Sequence, residues 1–329
     1  IAEQIANVRQ AWKWAVDNGE IELLHQTWQS LFTFYNVRSW FREGEAAFAD
    51  LATMLQARQE LHGDAGRTLL GIAWASQAWF SHQLGHVAKA DEMMRLSLDT
   101  LHDRPPTEAL AFALSRRGIV AFQRGELEDA RQLCQESLDL YCTLDDRVGM
   151  TTMYGFLGRM ALEQGRHGEA QRHSLASLDL ARHRGDRWRS AHPLSNLAAV
   201  ATARGDYDRA HGLLREALAI RDEHGDLRGV AVTHLDLGDL EAARGGFMAA
   251  GRHYGQATTM FLRLGQHQGV MHALLKSAIV LASAGRIEDG ILLLYLLRAQ
   301  PEELQRDRAE IEHHVGILSG QISPGCLTA

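Results

Sequence analysis

The sequence predicts an all-α fold, a right-handed α-solenoid of about seven antiparallel helix pairs with flanking helices. The main observation is a unit of 40 residues that recurs six times, each copy marked by a glycine: Gly85, Gly125, Gly165, Gly205, Gly245 and Gly285. Five residues after each glycine stands a small residue: Ala90, Ala130, Ala170, Ala210, Ala250 and Gly290. Seven residues before each stands another: Ala78, Gly118, Gly158, Ala198, Gly238 and Ala278. Three columns in register indicate one recurring structural unit.

Each column has a physical reason in a pair of antiparallel helices. A glycine adopts the left-handed conformation at the lowest energy, so it ends the first helix. Small residues on both helices let the two backbones cross closely. The residue two after each glycine is mostly apolar and starts the buried face of the second helix: Val87, Leu127, His167, Tyr207, Phe247 and Ile287. Between repeats, Gly185-Asp186 and Gly225-Asp226 predict a glycine turn followed by an N-cap aspartate, and Asp145-Asp146 predicts a similar turn.

Composition and charge narrow the function class. The chain has 329 residues and a net charge of −7, which argues against a nucleic-acid surface because phosphate binding needs a basic stripe. No apolar run reaches the roughly 18 residues of a membrane span. Three cysteines, Cys134, Cys142 and Cys326, favour a reducing cytoplasm over a disulfide framework. The first residues show neither an initiator methionine nor a signal peptide, so we expect the chain to be the interior of a longer one.

The columns resemble the tetratricopeptide repeat, whose pattern has a small residue at position eight and alanine at position twenty. The segments Leu194-Ser195-Asn196-Leu197-Ala198 and Leu235-Asp236-Leu237-Gly238 carry the first-helix motif. The 40-residue unit resembles the arrays of Pins/LGN polarity adaptors. It also resembles those at the C-terminal ends of bacterial STAND ATPase regulators such as the maltose-regulon activator. The resemblance covers residues 20–300 and implies a non-catalytic array that binds a partner.

Segments outside the six copies complete the predicted organisation. A seventh unit comes first, with Ser39 at the turn position, Phe41 two residues later and Gly44 five residues later. The step from Ser39 to Gly85 predicts a polar insertion near residues 59–66. We expect an N-terminal helix over residues 1–19, a junction to an upstream domain, and the repeat array over residues 20–300. A polar capping helix over residues 301–319 and a disordered tail over residues 320–329 follow.

The sequence shows no catalytic chemistry. It contains no phosphate-loop motif, no dinucleotide glycine fingerprint and no Cys-x-x-Cys. His82 and His86 are four residues apart, but solvent-facing histidines explain them better than a metal site. Cys134 lies on a packed helix face and is interpreted as a core residue. We therefore expect no enzyme activity, cofactor or bound metal.

The candidate site is instead the surface of the first helices, which line the inner wall of such arrays. Repeat positions two, six and nine carry a chemically varied set, predicted to form a partner-binding groove: Arg116, Phe156, Arg159, His192, Asn196, Asp236, Asp239 and Lys276. In related arrays an asparagine at position six holds the backbone of an extended peptide, and Asn196 alone matches it. Two alternatives stay open. In the first, each charge is solvated or paired within the fold, and in the second, Trp79 packs under the insertion.

We predict that the chain is the ligand- or protein-binding sensor array of a bacterial STAND-type signalling ATPase or transcriptional regulator. The alternative is a stand-alone scaffold or adaptor that binds an extended peptide or a partner protein. The expected partner is a protein or peptide, with a small-molecule inducer as a second class of ligand. We expect neither direct nucleic-acid binding nor membrane binding.

Overall fold

The computed structural model describes residues 2–58, 63–102, 107–300 and 305–320, and the secondary structure of these residues is entirely helical. Within them the helices are α1 (Ala2–Asn18), α2 (Ile21–Val37), α3 (Phe41–Ala57), α4 (Asp64–Gln83), α5 (Val87–Leu101), α6 (Glu108–Gln123), α7 (Leu127–Thr143), α8 (Arg147–Glu163), α9 (His167–His183), α10 (Arg187–Ala203), α11 (Tyr207–His224), α12 (Leu227–Ala243), α13 (Phe247–Arg263), α14 (His267–Ser283), α15 (Ile287–Arg298) and α16 (Gln305–Ser319). The predicted all-α class of paired helices is confirmed. None of the described helices is both long and apolar enough to cross a membrane.

The 40-residue period is built from two helices and two turns. Helices α8, α9 and α10 each contain 17 residues, and most of the turns between helices contain three. Each of the six predicted turn glycines is the middle residue of its turn and has a positive φ, from 69° at Gly165 to 85° at Gly285. Ser39 and Asp145 take the same conformation without being glycine, at 56° and 50°. The predicted turn positions, including that of the seventh unit, are therefore confirmed.

Backbone hydrogen bonds show why the chain reverses at these turns. The N–H of the residue after the left-handed one bonds a carbonyl five residues earlier, as in Arg166 to Ala161 at 2.8 Å. This is the Schellman pattern, which satisfies the last carbonyls of a helix. The next helix then begins, and the side chains of Asp186, Asp206 and Asp226 each accept the backbone N–H of the residue three positions on. The predicted N-caps Asp186 and Asp226 are confirmed, and Asp206 is a further N-cap.

The small columns lie at helix crossings, as predicted. Ala198 and Ala210 are completely buried. A Cβ atom at Gly238 would clash with the ring of Tyr254, and one at Gly118 would stand 2.7 Å from Sγ of Cys134. Cys134 is itself fully buried, and burial raises the pKa of its thiol to about 12, so its assignment to the core is confirmed.

The chain divides into two compact units, each with its own core. The first contains Ile1–Ala121 and Glu128–Met153, and the second contains Phe122–Leu127 and Tyr154–Ala329. Aromatic rings fill the first core, where Phe48 stacks on Phe80 at 6.1 Å and Phe32 meets Phe112 edge-on at 5.0 Å. Several clusters fill the second, one of which includes Tyr254 and Phe261, and the last cluster joins α14, α15 and α16.

Three predicted segments fall partly outside the described residues. Of the insertion near residues 59–66, residues 59–62 lie outside, whereas residues 64–66 belong to the first turn of α4. The capping helix predicted from residue 301 is described from Gln305 to Ser319. The predicted tail lies outside from residue 321 onward. The N-terminal helix ends at Asn18, and the left-handed Gly19 follows it, as expected.

Substitutions at the crossings test the packing of the second unit. Gly158→Leu and Ala210→Leu should each lower the free energy of unfolding by about 1–3 kcal/mol, because a large side chain must enter a filled crossing. Gly212→Leu is the matched control, since a Cβ there meets nothing within 4 Å. Thermal and urea unfolding of the three variants measure the effect. Unchanged stability of both crossing variants would contradict the assignment.

The left-handed residues without glycine provide a second test. This conformation costs an ordinary L-residue about 1–2 kcal/mol, more than the roughly 0.5–1 kcal/mol that glycine loses in chain entropy. Asp145→Gly should therefore raise the midpoint of thermal unfolding. The reverse change at an equivalent turn, Gly205→Ala, should lower it. Equal midpoints for both variants and the unmodified chain would show that the turns are not strained.

Candidate functional site

Seven of the eight predicted groove residues lie in the second unit, on the first helices of successive pairs. We call them the first-helix strip: Phe156 and Arg159 on α8, His192 and Asn196 on α10, Asp236 and Asp239 on α12, and Lys276 on α14. Their 40-residue register places them on the same face of each helix. The contacts among them show which side chains the fold brings together.

An ion pair joins α8 to α12. Nη1 of Arg159 lies 3.4 Å from Oδ1 of Asp236, and its Nε lies 3.6 Å from Oε1 of Glu163. Burial lowers the pKa of Arg159, but the carboxylates of Asp236 and Glu163 outweigh it, so the pKa is raised. The pair spans two repeats, and the residue at the same repeat position on the intervening α10 is the small Ala199. The predicted alternative of charges paired across helices is therefore realised here.

Asp239 lies at the centre of a second polar contact. Its Oδ1 accepts a hydrogen bond from the hydroxyl of Tyr254 at 2.7 Å and lies 3.3 Å from Nζ of Lys276. Burial raises the pKa of Tyr254, and Asp239 raises it further, so the phenol stays a hydrogen-bond donor. About 43% of the Asp239 side chain is exposed, which leaves it accessible to a ligand as well.

His192 is an uncharged ring beside three guanidinium groups. Burial, together with the positive charges of Arg221, Arg159 and Arg228, lowers the pKa of its imidazole to about 3. The ring lies 5.1 Å from that of Phe156. Its Nδ1 occupies the space beside α8 that a side chain at position 155 would fill, because that residue is glycine. The strip therefore presents Phe156 and His192 as one partly exposed aromatic surface.

Asn196 is used within the fold. It is 1% exposed, and its Nδ2 donates to the carbonyl oxygen of Gly155 on α8 at 2.9 Å. The backbone that its amide group holds is therefore that of the neighbouring helix. Two buried acceptor atoms of the strip, Oδ1 of Asn196 and Oδ2 of Asp236, have no hydrogen-bond partner. A buried acceptor without a donor is costly, so these atoms are suited to a donor that arrives with a ligand.

Arg116, the eighth predicted residue, belongs to the first unit and packs there. Its guanidinium lies over the rings of Phe32, Trp79 and Phe112 at 5.7, 5.1 and 5.3 Å, and the residue is 8% exposed. Trp79 is buried and donates through Nε1 to Oδ1 of Asn36 at 2.8 Å. Cation–π contacts of this kind stabilise a desolvated arginine. We therefore leave Arg116 and Trp79 out of the proposed site.

Sequence reasoning missed the second-helix residues that support the strip. Arg221 on α11 is 4% exposed and bonds the carbonyl of Gly229 at 3.0 Å and the hydroxyl of Thr233. Burial lowers the pKa of Arg221. The sequence contained a signal for Arg221, because the corresponding positions of the neighbouring repeats hold Tyr141, Ala181 and Phe261. A single arginine therefore stands in an otherwise apolar column.

The described histidines form no metal site with three or more protein ligands. Within the part of the chain that the structure describes, no group of three or more His, Cys, Asp or Glu side chains could hold a metal ion. The interpretation of His82 as solvent-facing is wrong, because the side chain is 4% exposed, inside the first unit. His86 is half-exposed, with Nδ1 3.7 Å from a carboxylate oxygen of Glu45.

A family model described as tetratricopeptide repeat matches residues 109–182 and 149–223. This part of the chain therefore contains tetratricopeptide repeats. No curated protein sequence matches the chain significantly.

Solved structures share the fold at low sequence identity. A Rap protein complexed with competence and sporulation factor has a TM-score of 0.74 at 12% identity, over 94% of this chain and 85% of that one. NprR in complex with its cognate peptide NprX has a TM-score of 0.65 at 13% identity, over 93% and 83%. A STAND protein with a tetratricopeptide repeat sensor, from Pyrococcus horikoshii, has a TM-score of 0.54 at 15% identity, over 96% of this chain and 49% of that one. The chain thus has a tetratricopeptide-like solenoid fold.

The neutral state of His192 predicts an acid-sensitive stability. Its pKa of about 3 in the folded chain lies below the ordinary 6.5, so its contribution is complete above pH 6.5 and is lost as the pH falls towards 3. Near pH 5 the loss is roughly 2 kcal/mol. His192→Val, which installs the residue found at this position on α12, should remove that part of the loss.

Urea unfolding at neutral pH and near pH 5 measures the difference between the two chains. A smaller pH dependence should remain in the variant, because burial also lowers the pKa of His173, His234 and His253. An identical loss of stability in both chains would show that His192 titrates normally.

Proposed function

We propose that the chain is a binding module without catalytic activity and that the first-helix strip is where it takes an extended peptide or a segment of a partner protein. The observation that carries this proposal is the pair of buried acceptors, Oδ1 of Asn196 and Oδ2 of Asp236. They stand at the same repeat position on neighbouring helices. An extended peptide carries backbone N–H groups at regular intervals and can satisfy both acceptors.

The chemistry around these acceptors favours a ligand of mixed character. Phe156 and His192 offer an aromatic surface, whereas Asp239 and Lys276 offer partly exposed charges of opposite sign. The strip differs along its length, because the aromatic pair lies on α8 and α10 whereas the partly exposed charges of Asp239 and Lys276 lie on α12 and α14. A ligand with its own charge asymmetry would therefore bind in one orientation. Nucleic acid fits poorly, since the chain has a net charge of −7.

For the cellular role we propose the sensor array of a bacterial STAND-type ATPase or transcriptional regulator in the cytoplasm. The solved STAND protein shares the fold, and this chain spans about half of its length. Two neighbours with higher TM-scores are complexes with a named factor or peptide. The alternative role is a stand-alone adaptor, and these two complexes support a peptide-like ligand for that role as well. The complete gene separates the two roles: an upstream nucleotide-binding domain supports the sensor, and its absence supports the adaptor.

The binding site is tested with peptides selected from a random library on the unmodified chain. Arg159→Ala, Asn196→Ala and Asp236→Ala should each weaken the selected peptides by about 2–5 kcal/mol, as expected for the loss of a desolvated polar contact. Isothermal titration measures the affinities, and circular dichroism confirms that each variant is folded.

Arg215→Ala and Asp208→Ala are the matched controls, because both residues are exposed on the second helix α11. These controls should bind as the unmodified chain does, since exposed charges contribute little. If the controls weaken binding and the three strip variants do not, the partner binds the opposite face of the helix pairs.

A further inference from the structure

A pair of histidines replaces an apolar pair that recurs at two repeat positions, one on the first helix and one on the second. The second position follows the first by 19 residues, and three repeats hold leucine at both: Leu114 and Leu133, Leu194 and Leu213, and Leu274 and Leu293. In the repeat formed by α12 and α13, the same two positions hold His234 and His253. Two half-buried imidazoles thus replace an apolar pair, at a loss of hydrophobic stabilisation.

The two rings are in direct contact. Nδ1 of His234 lies 3.2 Å from Nδ1 of His253, and the ring planes differ by 26°. Tyr154 and His173 occupy the same two repeat positions, and their rings also meet, at 5.9 Å. The position therefore brings its two side chains together in both repeats, and only the His234–His253 pair brings two potential ligand nitrogens face to face.

Both imidazoles are available as ligands at neutral pH. Burial lowers the pKa of His234, and the neighbouring His253 lowers it further, whereas the charge of Asp222 raises it. Burial also lowers the pKa of His253, and the charges of Arg252 and His211 lower it further, whereas Glu241 and a hydrogen bond donated to Gln256 raise it. A neutral imidazole keeps a free lone pair, which is the form that binds zinc, copper and nickel.

We propose that His234 and His253 form a binding site for a divalent transition-metal ion of the zinc class, with both Nδ1 atoms as ligands. Two nitrogens bound to one tetrahedral ion at about 2.0–2.1 Å stand roughly 3.3 Å apart. The observed 3.2 Å is close to that separation. Gln256 bonds His253 and supplies the outer hydrogen bond that fixes the orientation of a ligating ring.

The site would hold its ion in exchange with the solvent. Two protein ligands are fewer than the three or four of a permanent zinc site, in agreement with the lack of any three-residue group among the described side chains. Water would complete the coordination. The ion would bridge α12 and α13 and so favour the folded form of this helix pair.

The rival explanation is a hydrogen bond in which one Nδ1–H donates to the other Nδ1, with no role for metal. Thermal unfolding and isothermal titration with ZnCl2 distinguish the two. We expect the unmodified chain to bind one zinc ion and to unfold at a higher temperature when it is present. His234→Leu/His253→Leu should fold at least as well without zinc, because leucines fill these positions in three other repeats. It should lose at least tenfold in zinc affinity.

His313→Gln/His314→Gln is the matched control for adventitious binding to the other histidines of the chain. These two rings on α16 are adjacent but perpendicular, at 89°, and this variant should keep the zinc response. Single substitutions of His234 or His253 should each lose it. The proposal is overturned if the unmodified chain shows no zinc response, or if the double leucine variant binds zinc with unchanged affinity. Peptide binding by the first-helix strip is unaffected by either outcome.

Discussion

The left-handed residue in the middle of each turn is the constraint on which the rest of the structure depends. It stands every 20 residues from Gly125 to Gly285, with a positive φ in each case. Because the chain reverses within three residues, consecutive helices must lie antiparallel and close together. Close packing then requires small residues where the backbones cross, which is why Ala198 and Ala210 are completely buried. The register of the polar strip follows from the same spacing.

The repeat made most of the fold predictable from the sequence. Because each column recurs six times, a departure in a single repeat does not hide the pattern. The turns, the helix crossings and the N-cap aspartates could therefore be located without a structure. Even Ser39, which is not a glycine, could be assigned to a turn because Phe41 and Gly44 follow it at the spacing found after the turn glycines. The resemblance to tetratricopeptide repeats rested on the same columns, and the fold and the match over residues 109–223 agree with it.

The candidate site was less predictable, because its contacts connect residues that no period relates. The pairing of Arg159 with Asp236 depends on the reach of a side chain across two repeats. Tyr254 meets Asp239 through a packing gap that Gly238 leaves open. Arg116 has the same repeat position as Asn196, yet three aromatic rings of the first unit surround it. Repeat position fixes the face of the helix, and the neighbouring side chains decide what that face does.

The ion pair between Arg159 and Asp236 also has a mechanical consequence for the second unit. In a stack of helix pairs, most contacts join nearest neighbours, so the stack bends by small rotations at each interface. The ion pair between α8 and α12 spans two such interfaces and therefore limits bending at both of them. A peptide that draws Asp236 away from Arg159 would break this ion pair and make this part of the stack more flexible. Ligand binding to the strip would then change the elastic stiffness of the second unit.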